Sequence, residues 1–152
     1  PLLRGEVCGE GKVTYPDDIR ELRALSIRPP WTEAILHFGK DIENRSRRQS
    51  FRGRVLIHAG KTFEFADWNR LRRMHRDDLG SGLTTFPHFS DIPQGGIVGL
   101  ATVVDCVEWH PSQWFYGPYG LVLEDVQELP FIPCNGMLGF FPPELPQELP
   151  VA

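Results

Sequence analysis

The sequence predicts an α+β domain, mostly β, in the form of a small barrel. Short runs of β-branched and apolar residues recur at positions 25–28, 54–59, 96–107, 121–129 and 137–141. Only two segments, 30–38 and 64–78, have helical spacing. Strands and helices therefore lack the β-α-β-α alternation that a doubly wound parallel sheet requires.

The elements follow in order. Leu25 and Ile27 alternate with Ser26 and Arg28, a strand signal that Pro29 and Pro30 end, because proline cannot continue a ladder. Pro30 suits a helix start, where its missing N–H would be unpaired anyway, and Trp31, Ala34, Ile35 and Phe38 share one helical side. Gly39 is a natural C-terminal stop. A strand around Ile42 leads into an arginine-rich turn, and RVLIHA over 54–59 reads as a buried strand. The second helix carries Phe65, Trp68, Leu71 and Met74 on one side and arginines elsewhere. An irregular connection, 80–94, precedes the longest strand, GIVGLATVVDCV. The loop WHPSQWFYGPY follows, then two further strands. Residues 1–23 are expected to form an extension packed on the domain, 24–142 the domain itself, and 143–152 an extended, poorly ordered proline-rich tail.

A chain of 152 residues suffices for one domain with a real core. No apolar run approaches the roughly 18 residues that span a bilayer, so no membrane partner is expected. The start, PLLRGEVCGEGK, lacks the pattern of a secretion signal. Cys8, Cys106 and Cys134 are odd in number and far apart, which fits reduced thiols and a cytoplasmic location. All 16 Lys and Arg lie at or before Arg76 against 10 acids, giving that half +6 and the remainder −10. Either the halves neutralise each other across the fold, or the first presents a basic patch to phosphates.

The candidate site residues cluster where elements begin and end. Lys40 and Glu43 are the candidate catalytic pair, a lysine beside a carboxylate being open to activation as base or nucleophile. The alternative is a structural ion pair of Glu43 with Arg45, which shares its strand face. Trp31 either stacks on a base or staples the helix to the barrel. Arg28 is a donor to a phosphate or base edge, or a solvated strand end. Arg45, Arg47, Arg48, Arg52 and Arg54 have no acid among them, which suits contact with a nucleic-acid backbone. Trp114 and Tyr116 either sandwich a base or plug the barrel end. No metal-ligand spacing, phosphate loop or serine-nucleophile elbow occurs, so neither metal nor cofactor is expected, and His58 reads as structural.

The blocks SIRPPW, GKDIENR and FRGRVLIHA, followed by GGIVGLATVVDCV, YGPYGLVL and PCNGMLGF, resemble the ASCH domain family over roughly residues 24–142. The resemblance implies a fold of the PUA-like superfamily, a largely antiparallel barrel with helices packed at its openings, whose relatives bind RNA or modified bases. It implies binding of single-stranded RNA or a modified nucleotide or base. Some small bacterial members are amidohydrolases acting on N4-acetylcytidine, so the alternative is an enzyme, either such an amidohydrolase or a nuclease, using Lys40. In those members a lysine is followed three residues on by threonine, with a glutamate from later in the chain. Lys40 matches, but Glu43 stands at the threonine position and Glu108 is the nearest later glutamate, a departure that counts against cytidine deacetylation.

Overall fold

A computed structural model describes residues 14–77 and 86–151. The expected extension before residue 14, and the first part of the irregular connection up to residue 85, lie outside the described residues. Six strands form one sheet: β1 (Ala24–Ile27), β2 (Ile42–Arg45), β3 (Gly53–Ala59), β4 (Gly96–Val107), β5 (Tyr119–Pro133) and β6 (Phe140–Phe141). The two helices are α1 (Trp31–His37) and α2 (Phe65–Asp77). The spatial order is β2-β5-β4-β3-β1-β6, a sheet curled into a half-barrel. All neighbours are antiparallel except β1 and β3, which run parallel with Ser26 opposite His58. The segment carrying α1 and β2 supplies the crossover that this parallel pair needs.

Alternation along the strands divides the core. Leu25, Ile27, Val55 and Ile57 pack with Ile35 of α1 on one face, while Ala24, Leu56, Ile97 and Ile132 form a second cluster behind them. β3 is buried on both sides because α1 covers the first face, and the second is closed by Ile19, Leu145 and Leu149. This last contact corrects the expectation of a loose tail. Residues 142–151 have no helix or strand, as their prolines dictate, yet Arg20 Nη2 donates to the carbonyls of Pro146 and Gln147, each at 2.8 Å. A third cluster joins Ala34, Phe38, Ile42, Leu71 and Trp114, tying α2 and the aromatic loop to α1.

Three details depart from the sequence reading. Phe65 does not face the core with Leu71; it is 57% exposed and packs with Trp68 and Phe89, leaving His75 as the second buried side chain among the described ones of α2. β5 runs on to Pro133 because β4 offers it partners along its full length, from Val107 opposite Gly120 to Gly96 opposite Pro133. The last strand shrinks to two residues, since Gly139 takes a positive φ of 68° and turns Met137 and Leu138 outward.

Candidate functional site

The connection between α1 and β2 sets the geometry. Gly39, at φ 78°, lets the chain reverse so that both Phe38 and Lys40 donate their N–H groups to the Ala34 carbonyl at 3.0 Å. That reversal turns the Lys40 side chain inward, where it is 5% exposed. Its ammonium donates to the Ile42 carbonyl, lies 3.7 Å from Glu43 Oε1 and sits 6.0 Å from the Trp114 ring centroid. Burial lowers the Lys40 pKa, and the carboxylate of Glu43 pushes back against that shift.

Glu43 is shared. Its Oε2 lies 3.4 Å from Arg45 Nη2, which also donates to the Ser26 carbonyl at 3.0 Å. The ion pair anticipated between Glu43 and Arg45 exists, and it forms part of the wall of a cavity of about 410 Å³. The Arg45 Nε–H is buried without an acceptor among the described residues.

Two residues outside the sequence-derived candidates close the cavity from α2. Asp67 accepts from Arg28, with Nη2 at 2.9 Å and Nε at 3.1 Å. The Arg70 guanidinium lies 4.8 Å from the Tyr116 ring centroid and 5.9 Å from that of Trp31. Tyr116 reaches this position because β2 pins its loop. Asn44 Oδ1 accepts from the N–H groups of Tyr116 and Gly117, Asn44 Nδ2 donates to the Trp114 carbonyl, and Asp41 accepts from Ser112 Oγ. Trp114 itself is buried in the third core cluster, so it serves as a wall, while Trp31 and Tyr116 supply the more open rings.

Arg28, Trp31, Lys40, Glu43, Arg45, Trp114 and Tyr116 therefore line one cavity. Arg47, Arg48, Arg52 and Arg54 do not; all four are exposed outside it. Three of them meet acids remote in sequence: Arg48 with Glu108, Arg52 with Asp105 at 3.8 Å and Arg54 with Asp18 at 2.6 Å. Glu108 is not among the residues lining the cavity, and its side chain, paired with Arg48, is 64% exposed. Asn44 and Asp67 were missed, and Arg70 figured only among the arginines of the second helix, because nothing in residue spacing brings α2 over β2. Asn44 alone had a local signal, lying between Glu43 and Arg45. No cluster of three or more His, Cys, Asp or Glu side chains among the described residues is arranged to hold a metal. No helix among them is long and apolar enough to cross a membrane.

The sequence model of the ASCH domain matches residues 25–132, well over half of the chain. The chain belongs to the ASCH domain family. This family is part of the PUA-like superfamily, and its fold is of an RNA-binding type. No curated protein matches the chain.

Proposed function

We propose that this ASCH domain binds single-stranded RNA or a modified nucleotide by taking one base into the cavity beside Trp31. The observation that carries the reading is the convergence of open aromatic rings with buried hydrogen-bonding groups. Trp31 and Tyr116 give stacking surface at the mouth, while Lys40 and Arg45 donate and Glu43 accepts deeper in. Recognition of an unstacked base uses that combination: a π-face for affinity and polar groups along the base edge for selection. Arg28 and Arg70 add positive charge at the rim, which makes affinity salt-dependent. Residues 24–142 would act as the binding unit.

Beyond the match of Lys40 to the lysine of the amidohydrolase members, a hydrolytic reading draws support only from the lowered pKa of Lys40. The carboxylate beside Lys40 is already shared with Arg45, and Glu108, the candidate second acid, is held by Arg48. Binding is the reading these contacts favour.

Titration of fluorescent single-stranded RNA oligomers at low and high salt tests it. Loss of stacking in W31A should weaken binding by about 1–3 kcal/mol, and Y116A by a similar or smaller amount. Absence of binding at low salt, or binding untouched by W31A and Y116A together, sinks the proposal.

A further inference from the structure

Behind the first cavity lies a second, wider groove of about 690 Å³, and the two share Ser26, Arg28 and Arg45 in their walls. Their chemistry differs. The first contains the carboxylates of Glu43 and Asp67, whereas the second is lined by Arg28, Arg45 and Lys61 with no Asp or Glu among its described residues. Lys61 has no hydrogen-bond or ion-pair partner among the described residues. Its stem lies against Gly95, where a Cβ would come within 3.0 Å of Cε, so the missing side chain leaves room for the lysine to lie along the groove. Arg45 brings the buried Nε–H that has no acceptor. The floor needs nothing from a ligand. His58 Nε2 donates to the Cys134 carbonyl at 2.9 Å, so Nδ1 accepts from Ser26 Oγ at 3.0 Å. The outer rim is apolar, with Leu138 97% exposed and Met137 beside it.

An acid-free groove with three cations, one unpaired, suits an anion, and its junction with the base cavity determines which kind. Resting on the base-binding reading above, we propose that this groove holds the phosphate attached to the nucleoside whose base enters the first cavity. The ligand is then a nucleotide, free or within a strand, and not a free base or nucleoside. The phosphate sits over Arg45 and Arg28 within reach of Lys61, and the Met137–Leu138 rim meets the sugar or base that follows.

The test is a titration at low ionic strength of the four ribonucleosides, their monophosphates, the corresponding dinucleotides and ribose phosphate. The full chain, K61Q and W31A are compared. A charge-assisted phosphate contact should make a monophosphate bind about tenfold or more tightly than its nucleoside, and K61Q should remove much of that margin. Dinucleotides binding more tightly than monophosphates would assign the rim to a following nucleotide; equal affinities would overturn that part. A monophosphate binding no better than its nucleoside, or a margin that K61Q leaves intact, overturns the phosphate site while W31A still reports on the base. Ribose phosphate matching the nucleotides while W31A is silent overturns the base reading, and with it the identity of the phosphate's carrier.

Discussion

Replacing Glu43 with Gln keeps the shape of the cavity wall but removes the only carboxylate among the described residues that is ion-paired with the buried Lys40 ammonium. Lys40 is 5% exposed and its Nζ lies 3.7 Å from Glu43, so the pair is largely shielded from solvent screening. Breaking a buried pair from one side costs about 3–5 kcal/mol. The lower end applies here, because the cavity is open to solvent and the Ile42 carbonyl still accepts from Lys40. A loss of about 3 kcal/mol corresponds to a fall in Tm of roughly 6–12 °C for a domain of this size. K40M should cost less, since Glu43 keeps Arg45 at 3.4 Å. The double variant should recover part of the E43Q loss, with a coupling of about 1 kcal/mol or more.

The pH dependence follows from the same contact. Burial already lowers the Lys40 pKa, and removal of Glu43 lowers it further. Between that folded value and about 10.4 in the unfolded chain, the unfolded state binds a proton that the folded state lacks, so stability rises with pH. The E43Q deficit should therefore narrow as pH is raised from neutral toward 10. Denaturant titrations of the wild type, both single variants and the double variant across this range measure it. An E43Q protein within about 0.5 kcal/mol of wild type, or single losses that simply add in the double variant, would refute the argument.

Two more expectations concern the scaffold. Burial lowers the pKa of His58 against a raising hydrogen bond to the Cys134 carbonyl. Its contribution to stability is complete above the unfolded value near 6.5 and is lost as pH falls through the folded value. Tm should therefore drop on acidification from about pH 7 to 5, and H58Q should flatten that slope; an identical slope in the variant would exclude His58 as its source. At Gly99 of β4, a Cβ would come within 2.5 Å of Leu36 Cδ2 and 2.9 Å of the Gln127 carbonyl. Leu36 can swing away, but the β5 backbone cannot yield without shifting the hairpin, so G99A should cost about 1–3 kcal/mol in denaturant titration. Neutrality would mean that β4 and β5 separate freely there.

Much of this fold is legible in local pattern. Pro29, Pro30 and Gly39 bracket α1 by rules that act within a few residues, and the unbroken apolar run of β3 declares a strand covered on both faces. The cavity's first contributors were legible for a related reason. Arg28, Trp31, Lys40, Glu43 and Arg45 lie at junctions between elements close in sequence, although their convergence depends on the curl that brings β1 and β2, near opposite ends of the strand order, together. The Arg48, Arg52 and Arg54 cluster shows where this reasoning stops. Those side chains look unopposed along the chain, but folding brings Glu108, Asp105 and Asp18 to them from distant segments. A carboxylate's influence depends on separation in space, which sequence distance does not report.

The sequence by itself determined the inventory: aromatic rings, a buried-strand signature, a lysine and glutamate three residues apart, and positive charge confined to the first half. Tertiary structure decided which charges remain available. By folding α2 over β2 it set Arg70 beside Trp31 and Tyr116, and by pairing Asp67 with Arg28 it balanced part of the rim. It also divided one stretch of chain between an acid-bearing cavity and an acid-free groove, with Ser26, Arg28 and Arg45 facing both. Backbone propensity acts over a few residues, so it is readable along the chain; the field at a site sums over groups brought together by packing, and only the folded chain supplies their distances.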